Sequence, residues 1–183
     1  DKEVYNICIE KWDADKDGKL TYGEVATVTD LGDAFKGNTK IQSFSELYYF
    51  TSLTNLSDDA FNGCTNLATI RIPKALKQIG ARAFKDCVTL RQLNLPTNIQ
   101  AMGAKAFCGC KMMNAIEIPS AITAIEEGTF KDCQQITSIE LPIGVKTIGN
   151  EAFAGCTRIS TFTIKTFHPE KAKIGRASCR ERV

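Results

Sequence analysis

Cysteines stand at 64, 87, 110, 133 and 156, an unbroken step of 23 residues. Phe61, Phe84, Phe107, Phe130 and Phe153 keep the same step, and so do Pro73, Pro96, Pro119 and Pro142. A unit this short cannot bury an apolar face by itself, so the units have to stack on one another. The period therefore demands a solenoid before any other property of the chain is considered.

Each unit divides into two pieces. The first, "LxxIxIP", alternates apolar and polar side chains as a short strand does: Ile70 and Ile72, Leu93 and Leu95, Ile116 and Ile118, Ile139 and Leu141, Phe162 and Ile164. Stacked in parallel these strands form one ladder at a rise of ~4.8 Å per coil. Proline closes each strand because it cannot donate the next ladder bond. The second piece reads "LxxIGxxAFxxC", as in Leu76, Ile79, Gly80, Ala83, Phe84 and Cys87. Gly80, Gly103 and Gly149 suit tight corners of positive φ, a slot where Glu126 departs from the pattern. "AFxxC" reads as one helical or 3₁₀ turn. Upstream, "AFKGNTKIQSF" at 34–44 echoes "AFNGCTNLATI" at 60–70 with a step of 26, and Asn38 holds the cysteine slot.

A recurring cysteine could be a nucleophile, a metal ligand, half of a disulfide or core. One residue type at one position in every coil stacks on itself, and cysteine is among the most buried residue types. Neighbouring thiols spaced at the strand rise lie wider than the ~3.5–4.5 Å between Cβ atoms that a disulfide prefers. Core packing is the expectation for these thiols.

The consensus "LxxIxIPxxvxxIGxxAFxgC" over residues 34–164 resembles the bacterial surface-antigen leucine-rich repeat, the BspA-like or Treponema-type repeat. The resemblance implies an α/β-type, right-handed leucine-rich-repeat-like solenoid with a short-stranded parallel sheet and no asparagine ladder. It also implies an extracellular or cell-surface bacterial protein that is not an enzyme and binds a host or neighbouring-cell protein or glycan.

A different pattern stands near the start. "DADKDGKLTYGE", residues 13–24, meets the calcium-loop template D-x-[DN]-x-[DN]-G-x₅-E at every specified place. Asp13, Asp15 and Asp17 fall at loop positions 1, 3 and 5, and Gly18 makes the sharp turn at 6. Lys19 would offer its carbonyl at 7, Thr21 would act through water at 9, and Glu24 would supply two oxygens at 12. Only a bound cation offsets the repulsion of four clustered carboxylates, so Ca2+ is the expected cofactor. Tyr5, Cys8, Ile9 and Trp12 form the apolar stripe of an entering helix, and Val25 and Val28 mark a short exiting one. The loop resembles one half of a dockerin or EF-hand module. A sensor or a true dockerin would have two loops, so the expected role is a structural staple at the end of the solenoid.

Three segments follow: 1–30 as the EF-hand-like segment, 31–172 as the solenoid, and 173–183 as a tail. "IGRASCRERV" looks like the in-frame translation of a sequencing adapter, and without it the chain carries 20 basic and 20 acidic residues. The formal charge of +2 therefore gives no case for nucleic acid or an anionic membrane. His168, the one histidine, and the "CGC" of residues 108–110 carry no catalytic or zinc-type spacing. If the strands line one face, its outward residues include Thr69, Arg71, Gln92, Asn94, Glu117, Ser138 and Glu140, a polar surface poor in the aromatic anchors of binding sites. Recognition or adhesion is the leading expectation for the module, with this face as its candidate surface and a plain solvated sheet face as the alternative reading of it. Alternatives are an accessory domain of a larger exported enzyme and a cytosolic calcium-regulated scaffold. The last coil, with Ile159, Phe162 and Ile164, is expected to be sticky and to self-associate.

Overall fold

The structure, a computed structural model, describes residues 1–165; the proposed tail at 173–183 and His168 lie outside the described residues. Helices α1 (Lys2–Trp12) and α2 (Tyr22–Thr27) flank the acidic loop. After them come β1 (Ser43–Phe44), a 3₁₀ turn at Ser45–Tyr49, β2 (Asn55–Leu56), β3 (Thr69–Ile70), β4 (Gln78–Ile79) and β5 (Gln92–Leu93). The chain continues through β6 (Ala101–Met102), β7 (Ala115–Ile116), β8 (Ala124–Ile125), β9 (Ser138–Leu141), β10 (Thr147–Ile148) and β11 (Thr161–Ile164).

Each coil carries two strands rather than one. The expected ladder is formed by parallel pairs β1–β3, β5–β7 and β9–β11. A second parallel ladder, β2–β4–β6 and β8–β10, is built from the "xI" of "LxxIG". One core-facing residue per strand is too few for alternation to show in the sequence. Proline opens the corner between the ladders: the carbonyls of Pro73, Pro96, Pro119 and Pro142 accept from the amides of Leu76, Ile99, Ile122 and Val145 at 3.1–3.2 Å. Register follows the sequence period, with Gln92 opposite Ala115 and, across the longer first coil, Ser43 opposite Thr69.

"AFxxC" is not a helical turn. Its amides point alternately within the coil and along the stack: Asn62 and Cys64 donate to Asp59 and Phe61, whereas Phe61 and Gly63 donate to Ala83 and Lys85 of the next coil. A helix would turn every amide inward. The alternation needs positive φ at two places per coil, met for example by Arg82 and Asp86 at 57° and 58°.

The core runs the length of the stack. Phe61, Phe84, Phe107, Phe130 and Phe153 lie with ring centroids 5.4–5.5 Å apart and planes within 10°, an unbroken column of near-parallel rings. The ladder cysteines are buried beside it. Each thiol also donates to the phenylalanine carbonyl of the coil before, from Cys87 to Phe61 at 3.2 Å through Cys156 to Phe130 at 3.0 Å. A purely apolar residue would fill the space but leave that carbonyl without its second donor. Burial pushes the Cys64 thiol up to about 12, and Cys87 and Cys110 well above the ordinary value. The donor hydrogen is therefore retained at any physiological pH.

At the N-terminal end α1 stands in for a missing coil. Its buried face is Val4 and Cys8, with Ile7 and Trp12 against the core; of the expected stripe Cys8 and Trp12 face inward, while Tyr5 is exposed. Trp12 meets Phe35 and Phe50 at 6.1 and 5.5 Å, ending the ring column. Asp1 does two jobs. One oxygen caps α1 through the amides of Glu3 and Val4; the other accepts from Gln42 and Ser43 at 2.9 and 3.2 Å. In the next coil the corresponding amides of Ala68 and Thr69 bond to the Gln42 carbonyl. Asp1 thus supplies the acceptor that a preceding coil would have offered. Asp1→Ala is expected to cost about 2 kcal/mol, the upper end for a lost cap, read as a lowered midpoint in urea unfolding.

At the other end Ile148 and Phe162 are 50% and 37% exposed, where their counterparts Ile125 and Ile139 are buried. Among the described residues, nothing covers this apolar surface.

Candidate functional site

Two of the expected sites can be located on the fold, and a third feature was not foreseen. In the acidic loop, Asp13, Asp15 and Asp17 each offer a carboxylate oxygen within 4.8 Å of the others. The loop is wound by its own amides: Gly18 donates to Asp13, Asp17 to Asp15 and Lys19 to Asp17 at 2.8–3.1 Å. Gly18 turns with φ of 80° and an open flank, as the template requires. Asp13 Oδ1 is buried and has no hydrogen-bond partner. An orphaned carboxylate oxygen in a cluster of acids is costly unless a cation completes it. That observation fits Ca2+, whose hard charge takes oxygen ligands of this kind. The Asp17 amide draws the Asp15 carboxyl down, but desolvation, the Asp17 charge, Asp13 and Glu24 outweigh it and hold Asp15 above its ordinary value.

The other expected ligands are placed differently. Glu24 does not join the three-aspartate group. Its carboxylate accepts from the amide of Thr21, the hydroxyl of Thr21 and the amide of Ala14, each at 2.8 Å, bonds that hold it below the ordinary carboxylate range. With Thr21 as N-cap it forms the capping box of α2 and ties the two ends of the loop. Thr21 is engaged in that box, and Lys19 follows the turn with its amide on Asp17.

The outward face of the first ladder gathers the second set. Thr69, Arg71, Gln92, Asn94, Glu117, Ser138 and Glu140 are all exposed. Gln92, Asn94, Glu117 and Ser138 rim a depression of about 220 Å³ floored by Leu93 and Ile116. Glu140 pairs with Lys165 at 3.4 Å. The Arg71 guanidinium lies 3.9 Å from the ring centroid of Tyr48, which gives this face an aromatic at its N-terminal end.

Tyrosine is what the sequence reading missed. Tyr5, Tyr22 and Tyr49 are 46%, 70% and 41% exposed, and the rings of Tyr22 and Tyr49 are 4.7 Å apart. They surround a cavity of about 310 Å³ between the acidic-loop segment and the first coil. The run "SELYYF" at 45–50 was the available signal, but it lies outside the repeat.

Residues 54–174 match the BspA type leucine rich repeat region in six copies. No curated protein matches the chain. Among solved structures, the T. pallidum leucine rich repeat protein TpLRR is 30% identical with a TM-score of 0.68, over 74% of this chain and 62% of that one. A leucine-rich repeat protein from Bacteroides ovatus is 23% identical, with a TM-score of 0.57 over 74% and 40% of the two chains. The pneumococcal vaccine antigen PcpA is 23% identical, with a TM-score of 0.63 over 76% and 36%. The last two likenesses are of fold. The chain spans less than two thirds of the length of each of these proteins.

Proposed function

The chain belongs to the BspA-type leucine-rich repeat family, and on that premise we propose a non-catalytic recognition or adhesion module that acts outside the cell or on its surface. The partner is a protein or glycan of a host or neighbouring cell, bound on the outward face of the first ladder. The observation that carries this reading is the gathering of seven exposed polar residues on one ladder, four of them around a depression. A rigid solenoid presents such a face without ordering cost on binding. In a screen of extracellular-matrix proteins and glycans, a Gln92→Ala, Glu117→Lys double variant should lose at least tenfold in affinity for any ligand captured. Undiminished capture would move the binding surface elsewhere. The described residues include no helix long and apolar enough to cross a membrane.

Calcium in this reading is a staple, held by Asp13, Asp15 and Asp17 with the Lys19 carbonyl, Thr21 through water, and Glu24 after it releases an amide. When bound, the ion supplies charge neutralisation and a fixed loop. Calorimetry is expected to give one site in the ~10⁻⁴–10⁻³ M range of extracellular modules, and saturating Ca2+ should raise the melting temperature. Asp13→Ala should abolish both. No heat at several millimolar would remove the metal from this reading and leave the ladder face untouched. An affinity tight enough to fill at cytosolic calcium would instead favour an intracellular scaffold.

The exposed Ile148 and Phe162 support self-association through the last coil, and sedimentation at rising concentration tests it. An accessory role beside a catalytic domain is the second reading, and a full-length gene encoding one would favour it.

A further inference from the structure

The cavity beside the acidic loop has a composition unlike the rest of the surface. Its floor is apolar, made by Val4, Cys8, Val25, Phe44 and Phe50, all buried. Its rim carries Tyr5, Tyr22 and Tyr49. Two carboxylates line it, but only one is free to act on a ligand. Asp1 is spent on four backbone amides. Glu46 is exposed, and its carboxylate has no hydrogen bond or ion pair among the described residues. No lysine or arginine lines the space.

We propose that this cavity is a binding site for a small organic ammonium ion with a hydrocarbon body. The apolar floor takes the hydrocarbon, the ring faces of Tyr22 and Tyr49 take the cation, and the Glu46 carboxylate neutralises it. Each part has a physical reason. A volume of about 310 Å³ is at the small end of ligand pockets. An aromatic face attracts a cation through its quadrupole, more so when the site is partly dry. A carboxylate at a mouth lined by no lysine or arginine is one half of an ion pair. The Glu46 charge is felt at the floor, where after desolvation it is the second cause that raises the Cys8 thiol to about 12. A sugar would meet a hydrocarbon floor and one free carboxylate, with the Tyr5 and Thr21 hydroxyls already donating to the Gly18 carbonyl and Glu24, so the chemistry favours the cation. The site is separate from the ladder face and borders the acidic loop through Leu20, Thr21 and Tyr22, so the titration is run both with and without Ca2+.

The test titrates the full chain with phenethylammonium, with its neutral analogue 2-phenylethanol, and with methyl glucoside, following Trp12 and tyrosine fluorescence and NMR shifts. Saturable binding of the ammonium is expected, with the alcohol about tenfold weaker and the glucoside silent. Glu46→Gln should weaken the ammonium about tenfold and leave the alcohol unchanged, and Tyr22→Ala should weaken it about fivefold. Both side chains are exposed, and circular dichroism of each variant confirms that it is folded. Equal affinity for ammonium and alcohol, binding indifferent to Glu46→Gln, or saturation by the glucoside alone would each overturn the assignment. Calorimetry with Ca2+ runs alongside, so a failed calcium reading is seen separately from a failed ammonium site.

Discussion

Raising the pH from 9 towards 12 is expected to unfold this protein over a narrow interval, and the buried cysteines of the ladder and of α1 are the reason. Cys8 and Cys64 are pushed from 9.0 to about 12, first by desolvation. Cys87, Cys110 and Cys133 are raised as well, again chiefly by burial. A thiol with a raised native pKa keeps its proton in the folded chain after the unfolded chain has released it. Its contribution is intact below the unfolded value near 9 and is lost as pH rises towards the native one. Each such thiol removes ~1.4 kcal/mol per pH unit in that window. Five together would remove roughly 7 kcal/mol per unit, against a total stability of about 5–15 kcal/mol for ordinary domains. Denaturant unfolding at stepped pH should therefore show stability falling steeply above pH 9 and vanishing within about two units. Cys110→Ser separates the two roles of the thiol. The hydroxyl can still donate to the Phe84 carbonyl, which the thiol reaches at 3.1 Å, yet it does not titrate here, so the slope should drop by about one thiol's share. A slope unchanged by that substitution would mean the buried thiols are not what fails at high pH.

The same cysteines show how far a sequence can be read. That Cys64, Cys87 and their successors are buried follows from the period alone. That each thiol is also a donor depends on where the phenylalanine carbonyl of the coil before it points, and no spacing encodes that. The face carrying Thr69, Gln92 and Ser138 was legible because strand alternation fixes which side chains face out. The second ladder was not, because Gln78–Ile79 and its counterparts carry a single core-facing residue each, with no alternation to read. In the acidic loop the template gave the aspartate cluster, but the capping box of Thr21 and Glu24 uses the same glutamate for a helix start, and two demands on one side chain cannot be ranked from sequence. The tyrosine cavity was invisible for a different cause. It joins Tyr5, Tyr22 and Tyr49 from three separate segments, none of them in the repeat.

Glycine at 80, 103 and 149 was legible as a requirement and misread in its reason, and the true reason makes a strong prediction. None of the three has positive φ. A Cβ at Gly103 would lie 2.5 Å from the Ala81 nitrogen, and one at Gly149 would lie 2.5 Å from the Glu127 nitrogen. The glycines are there because successive coils touch backbone to backbone. The contact is what lets Gly80, Gly103 and Gly149 donate to Leu56, Ile79 and Ile125 of the coil before at 2.7–2.9 Å. Glu126 occupies the same slot one coil after Gly103. Among the described residues, no corresponding bond joins Glu126 to Met102, and the second ladder is interrupted between β6 and β8. A side chain at this slot wedges the coils apart. Gly103→Ala should therefore cost about 3 kcal/mol, the upper part of the overpacking range, with faster amide exchange at the Gly103 N–H. Glu126→Gly should do what glycine rarely does and stabilise the protein, by about 1 kcal/mol for one regained backbone bond, with new exchange protection at residue 126. The two variants must move in opposite directions. If Glu126→Gly destabilises by the usual entropic cost of glycine, the break between β6 and β8 has a cause other than the wedge.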